Sequence, residues 1–117
     1  MRLTYRTKYD EKLCNDFVFA RRKLGSDVAE RLMKAIGFAE AASTLSEFVH
    51  VPQFRFHPLK YRTHPCFGVD LVKTSGMRLI LTPLDREGRP EDRERPIDQI
   101  LVECTIAEAE VSNHYED

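Results

Sequence analysis

The sequence contains no apolar run approaching the ~20 residues of a membrane-spanning helix, so a membrane protein is not expected. No apolar signal-like segment follows Met1, which makes the cytoplasm the expected location. The chain also has few cysteines, namely Cys14, Cys66 and Cys104, and no CxxC pair. This odd number argues against a disulfide framework or a closed zinc site. We expect all three to be small buried hydrophobic residues, and no local motif supports a catalytic thiol.

The length of 117 residues, with 42% hydrophobic and 32% charged residues, predicts one globular domain spanning 1–117. The net charge of −1 conceals an uneven distribution. Residues 1–83 contain 14 Lys and Arg against 8 Asp and Glu, whereas residues 84–117 contain 4 against 11. A basic first part suits a polyanionic partner, because cations near phosphates release condensed counterions. The alternative is a surface of mixed charges that segregate without function.

The first 42 residues show the periodicity of a helical hairpin. Residues 2–5 alternate polar and apolar, which predicts a short strand. A first helix is expected from about Lys8 until Gly25, because apolar residues recur at intervals of four, three and four. Ser26 or Asp27 could cap a second helix that continues to about Ala42. The residues expected to line the first helix are Leu13, Phe17, Ala20 and Leu24.

After residue 52 the apolar period changes to about two, which predicts strands at 54–57, 67–71 and 77–81. Residues 85–96 resemble a charged loop, too polar to pack, and a last strand is expected from Ile97 to about Val111. The predicted fold is α+β: an N-terminal strand and an αα-hairpin packed on a twisted, mainly antiparallel sheet of about four strands. The expected core comprises Leu13, Phe17, Leu32, Ile36, Phe67, Val69, Leu79 and Leu81.

The segment 56–62 combines His57, Lys60 and Arg62 within seven residues. An imidazole titrates near neutrality, and the two cations can hold a phosphate. Arg78 alternates with apolar neighbours in a predicted strand, so it should point away from the helices. The alternative for Arg78 is an ion pair with Asp70 on the adjoining strand. Together these side chains suggest a site for RNA.

The order of elements and several motifs resemble the RelE/ParE superfamily of bacterial toxins, and within it the HigB-like killer branch. The resemblance spans nearly the whole chain. It rests on the helical hairpin and on four segments: His57-Pro58-Leu59-Lys60, Phe67-Gly68-Val69-Asp70-Leu71, Met77-Arg78-Leu79-Ile80-Leu81 and Glu110-Val111-Ser112-Asn113-His114-Tyr115.

The resemblance implies a type II toxin, a metal-independent and ribosome-dependent endoribonuclease that cleaves messenger RNA. It implies no cofactor and no metal. The expected partners are the ribosome, its messenger RNA and an antitoxin, a HigA-like helix-turn-helix protein. Related tails often end in Asp-Tyr-His, where this chain has Asn113, His114 and Tyr115. The expected catalytic residues are therefore His57, Lys60, Arg62, Arg78, His114 and Tyr115.

In this scheme Lys60, Arg62 and Arg78 hold the scissile phosphate, while His57 and either His114 or Tyr115 transfer protons. One alternative is the same fold acting as a protein-binding growth inhibitor of the gyrase-poison type, or as a catalytically inactive member. Another is an unrelated α+β domain with incidental histidines.

Functional roles for the other histidines are less favoured. His50 and His64 are expected to be structural or exposed. A metal site formed by His57, His64 and Cys66 fits the composition, but its spacing matches no common zinc pattern.

Overall fold

The computed structural model describes residues 1–60 and 62–113. This part of the chain has five strands and five helices, which confirms the α+β class. The elements in chain order are β1 (Arg2–Tyr5), α1 (Lys8–Asn15), α2 (Phe17–Leu24), α3 (Ser26–Ala41), α4 (Leu45–Val49), β2 (Phe56–Pro58), β3 (Phe67–Asp70), β4 (Met77–Pro83), α5 (Ile97–Glu103) and β5 (Ile106–Asn113).

The strands form one mixed sheet in the order β1-β5-β4-β3-β2. The three pairs from β2 to β5 are antiparallel, and β1 lies parallel to β5 at the edge. The expected number of about four strands was wrong. The sheet has five, because β1 joins it through the pairing of Arg2 with Ile106 up to Tyr5 with Ala109.

The first expected helix is two helices that meet at Asp16. The Asp16 amide donates to the Lys12 carbonyl at the end of α1, while its side chain accepts from the Phe19 amide at the start of α2. One residue thus caps both helices, which interrupts the helical period. Gly25 makes the next turn with a φ of +88°, a conformation that favours glycine. Gly25 is also the N-cap of α3, so the predicted caps from Ser26 or Asp27 do not form.

The expected strand from Ile97 is also two elements, α5 and β5. The Pro96 carbonyl accepts from the amides of Gln99 and Ile100, which starts a helical turn. In α5, Ile100 is buried and Val102 is exposed. Apolar and polar residues alternate in this segment of the sequence as they would in a strand, which explains the wrong prediction. The strand begins only at Ile106.

Seven of the eight expected core residues are buried in the main apolar cluster. Phe17 is the exception, with 38% of its surface exposed. Because the helix restarts after Asp16, the spacing that placed Phe17 in line with Leu13 does not continue across the break. In α2 the buried residue is Ala20.

Alternation along the sheet separates an apolar face, packed in the main cluster with helical residues, from an opposite polar face. On β4, Leu79 and Leu81 belong to the main cluster, whereas Arg78, Ile80 and Thr82 point the other way. We call the face with Arg78 the helix-free face. None of the helices within residues 1–60 and 62–113 is long and apolar enough to cross a membrane.

Candidate active site

The sheet register aligns the polar side chains of the helix-free face. His57 on β2 is opposite Gly68 on β3, and Asp70 on β3 is opposite Arg78 on β4. Arg78 is in turn opposite Ser112 on β5. Since side chains at alternate positions of a strand share a face, His57, Asp70 and Arg78 project to the same side of the sheet.

Gly68 lies between the imidazole and the guanidinium stem. A β carbon at this position would lie 3.0 Å from His57 Cε1 and 3.4 Å from Arg78 Cδ. Both side chains therefore occupy the space above the glycine, and a side chain at position 68 would compete with them. The structure brings together His57 and Arg78, which the sequence placed 21 residues apart.

Asp70 places a carboxylate beside the imidazole. Its Oδ1 lies 3.4 Å from His57 Nε2, a long contact between two side chains that are each about 40% exposed. In this contact Nε2 faces Asp70, which leaves Nδ1 for other partners. Asp70, which was considered as the alternative ion-pair partner of Arg78, therefore contacts His57.

Arg62 reaches the same face from the connection between β2 and β3. Its Nη1 lies 3.3 Å from Oε2 of Glu110 on β5, while Arg6 Nη1 lies 2.7 Å from Oε1 of the same carboxylate. Glu110 is opposite Ile80 in the sheet register, so it too lies on the helix-free face. One acidic group thus joins two arginines that are 56 residues apart in the sequence.

Lys60 lies in this connection with its side chain exposed. Its carbonyl accepts from Arg93 Nη2 at 3.3 Å, and the Thr63 carbonyl accepts from Arg93 Nε at 3.0 Å. Within residues 1–60 and 62–113, no hydrogen bond or ion pair joins the Lys60 ammonium to His57 or Arg62. Lys60 therefore borders the site, and its backbone is held by Arg93.

Arg93 was missed by sequence reasoning because it belongs to the charged loop that was expected not to pack. The loop does pack in part: Glu91 is buried and lies 2.8 Å from Arg95. The only signal in the sequence was the number of arginines in the segment 85–96, and this did not identify which one contacts the site.

Cys66 is buried beneath these cations. Burial raises the pKa of its thiol, while the nearby Arg62, Arg93 and Arg78 partly oppose the increase. The thiol therefore stays protonated near neutral pH and is a poor nucleophile. All three cysteines are free and buried, which confirms the expectation that they are small hydrophobic residues.

His114 and Tyr115 lie outside the described residues. Asn113, which precedes them, ends β5 opposite Met77, next to the row that contains Arg78 and Ser112. The predicted role of this pair stays a prediction.

The other two histidines lie away from the His57–Arg78 pair. His50 Nδ1 lies 2.6 Å from the Ser46 carbonyl within the turn after α4, and His64 is exposed. Among residues 1–60 and 62–113, no three His, Cys, Asp or Glu side chains form a cluster able to hold a metal ion. The weighed set of His57, His64 and Cys66 thus does not converge.

Comparison with known proteins adds no identification: no family model, curated protein or solved structure matches this chain.

Proposed function

We propose that this chain is a metal-independent endoribonuclease that cleaves messenger RNA on the ribosome, with a RelE-like fold. In this proposal it is the toxin of a type II toxin–antitoxin pair, and its antitoxin is a HigA-like helix-turn-helix protein. The proposal rests on the chemistry of the helix-free face and on the sequence resemblance described above.

The observation that supports it best is the convergence of His57 and Arg78 over Gly68. RNA cleavage through the 2′-hydroxyl needs a proton acceptor close to a cation that stabilises the developing charge on the phosphate. A protein that acts only by binding has no need to bring an imidazole and a guanidinium together. This juxtaposition therefore favours the enzyme over the protein-binding alternative.

In the proposed mechanism His57 removes the proton from the 2′-hydroxyl. The Asp70 carboxylate, 3.4 Å from Nε2, holds the ring and stabilises the imidazolium that forms. The oxygen then attacks the phosphorus, and Arg78 stabilises the charge that accumulates on the non-bridging oxygens.

Arg62 supplies the second cation of the proposed phosphate site. Its contact with Glu110 is 3.3 Å, longer than the 2.7 Å contact of Arg6 with the same carboxylate. A substrate phosphate can therefore replace Glu110 as the partner of Arg62, while Arg6 continues to neutralise the carboxylate. Arginine suits this exchange because its planar group can bind two phosphate oxygens.

The departing 5′-oxygen needs a proton, and the proposal assigns this step to His114 or Tyr115. Lys60 contributes positive charge at the border of the site. The roles of Lys60 and of His114 or Tyr115 rest on the sequence, and substitution of these residues tests them.

The test is expression in a bacterium with mapping of messenger RNA 5′ ends. His57→Gln should reduce cleavage by about 10²–10⁴-fold, because general base catalysis is lost. His50→Gln is the matched control, since it removes an imidazole that is remote from Arg78, and it should cut at the wild-type rate. A zinc-selective chelator that leaves the magnesium of the ribosome in place should not change the cleavage rate of the wild-type protein in a purified ribosome assay.

Equal cleavage by the two histidine variants would contradict the assigned mechanism. Growth inhibition without new 5′ ends would favour the protein-binding alternative. Activity that disappears with chelator and returns with zinc would overturn the metal-independent chemistry.

A further inference from the structure

A cavity of about 310 Å³ opens at the end of the β2–β3 hairpin. It lies between this hairpin end, the charged loop and the start of α5. Its volume is at the lower end of the range of small-ligand sites, roughly 300–1,000 Å³. The proposed cleavage chemistry does not use this cavity.

Part of the cavity lining is apolar. It includes Pro58 and Pro65 from the end of the hairpin, Phe67 from β3 and Ile97 from the start of α5. Ile97 is 43% exposed, so its side chain is accessible to a ligand in the cavity. The proline rings and a branched aliphatic side chain form a surface against which a planar group can pack.

The lining also carries positive charge. Lys60 and Arg93 both line the cavity. Arg95 also lines it, but its charge is neutralised by Glu91 at 2.8 Å and by Glu103 at 2.5 Å. The cavity thus presents two cations next to an apolar wall, an arrangement that suits a planar heterocycle attached to an anion.

The position of the cavity relates it to the candidate active site. Cys66 lines the cavity and comes two positions before Gly68, so alternation places its side chain on the same side of the sheet as His57 and Arg78. Two positions along a strand span about 6.6 Å. A nucleotide whose phosphate is held near Arg78 therefore has its neighbour within reach of this cavity.

We propose that this cavity binds the base of a nucleotide adjacent to the scissile phosphate, with Ile97 as a specificity-determining contact and with Lys60 and Arg93 on its phosphate. The inference deepens the proposed ribonuclease function and rests on it for the identity of the ligand. A site of this kind gives the enzyme a base preference at one position of the message, independent of the chemistry at His57.

The test is a cycle that combines a base deletion in the RNA with a side-chain change in the protein. The probe is a fluorescein-labelled 2′-O-methyl RNA pentanucleotide, which cannot be cut because its 2′-hydroxyls are blocked. Abasic residues are introduced one position at a time, and binding is measured by fluorescence anisotropy. For the wild-type protein one position should weaken binding about 10-fold, while the others change it less.

The protein arm compares Ile97→Ser with Val102→Ser. Val102 is the matched control, because it lies on the same helix and is 57% exposed but does not line the cavity. Ile97→Ser should weaken binding of the intact RNA and remove the penalty of the sensitive abasic position. Val102→Ser should keep both the affinity and the penalty. Thermal unfolding checks that both variants are folded.

An unchanged abasic penalty in Ile97→Ser would overturn the inference. Equal binding of all abasic probes would also overturn it, because the protein would then hold only the phosphates. A lack of binding to the intact probe would overturn it as well. Cleavage is measured separately on ribosome-bound message. If the protein passes the cycle but does not cut, the proposed catalysis is refuted and the base site stands. If it cuts but fails the cycle, the base site is refuted and the proposed catalysis stands.

Discussion

The two faces of β4 differ in what surrounds them. Leu79 and Leu81 belong to the main cluster beneath the helices and are fully buried. Arg78 and Thr82, one residue away, face the other side with the charged groups of three strands. The same strand therefore contributes to the free energy of folding with one set of residues and to the candidate chemistry with the other. Substitutions on the two faces should separate these effects.

The contrast is not simply between a buried and an exposed face. Arg78 is only 6% exposed, and Ile80 is fully buried although it lies outside the main cluster. The helix-free face is thus partly enclosed, which lowers the local dielectric and strengthens the interaction of Arg78 with an anion. An enclosed cation is better suited to transition-state stabilisation than one in open solvent.

The largest effect on stability should come from the covered face. Leu79→Ala should lower the free energy of unfolding by about 2–5 kcal/mol, because it removes apolar contacts and leaves a cavity. Urea unfolding followed by circular dichroism measures this loss. Thr82→Ala, on the opposite face of the same strand, should cost less than about 1 kcal/mol. Similar losses for the two variants would remove the distinction between the faces.

Gly68→Ala should affect activity more than stability. The new β carbon would lie 3.0 Å from His57 Cε1, so the imidazole must shift by a few tenths of an ångström. Misplacement of a catalytic group by about 1 Å can reduce the rate roughly 10²-fold, so this smaller shift should reduce cleavage by up to about 10-fold. Mapping of messenger RNA 5′ ends gives the measurement.

Gly37→Ala in α3 is the matched control, because nothing lies within 4 Å of its new β carbon. It should leave cleavage unchanged and stabilise the helix by about 0.5–1 kcal/mol. Wild-type cleavage by Gly68→Ala would show that the position of His57 above the glycine is unimportant.

A smaller effect is expected at alkaline pH. Burial raises the pKa of Cys14 from its usual value of 9.0 to about 12. The unfolded chain therefore loses this proton near pH 9, while the folded protein keeps it. The stabilising contribution is complete below pH 9 and is lost as the pH rises towards 12, at up to about 1.4 kcal/mol per pH unit.

Urea unfolding between pH 7 and about 10.5 tests this linkage. Burial also raises the pKa of Cys66 and Cys104, so the wild-type protein should lose stability through several groups. In Cys14→Ala the free energy of unfolding should fall less steeply with pH than in the wild-type protein, by the contribution of one titrating proton. Identical slopes for the two proteins would refute the contribution of Cys14.

The smallest effect should be at Phe17, whose side chain was wrongly expected in the core. Because Phe17 is 38% exposed, Phe17→Ala should cost less than about 1 kcal/mol. Leu13→Ala, one helix earlier and buried, should cost about 2–5 kcal/mol. Denaturant unfolding of both variants makes the comparison, and equal costs would contradict the packing of α2.

The sequence predicted most elements because their residues keep a clear period. Residues 67–70 and 77–83 alternate in residue type as a strand does, and α3 keeps a helical period over 16 residues. The errors occurred where local hydrogen bonds override the period. Asp16 caps two helices at once, and Pro96 starts a helical turn in a segment whose apolar residues alternate like those of a strand.

The candidate site was predicted only in its residue types. The sequence indicated that His57 and Arg78 suit RNA chemistry, but their proximity depends on the register of two strand pairs. Register results from loop lengths and packing, and a shift of one residue would place the side chains on opposite faces. The contacts of Arg93 depend on a loop without periodicity, so no pattern could indicate them.

The parallel pairing of β1 with β5 has a consequence for synthesis of the protein. The ribosome makes Arg2–Tyr5 before Ile106–Asn113, yet Ile106–Asn113 is the strand between β1 and the rest of the sheet. During translation β1 has no sheet neighbour until about a hundred further residues have left the exit tunnel. Such distant pairing slows folding, since a long loop must close before its contacts form. The sheet, and with it the face that bears Arg78 and Glu110, is therefore completed only after β5 has been made.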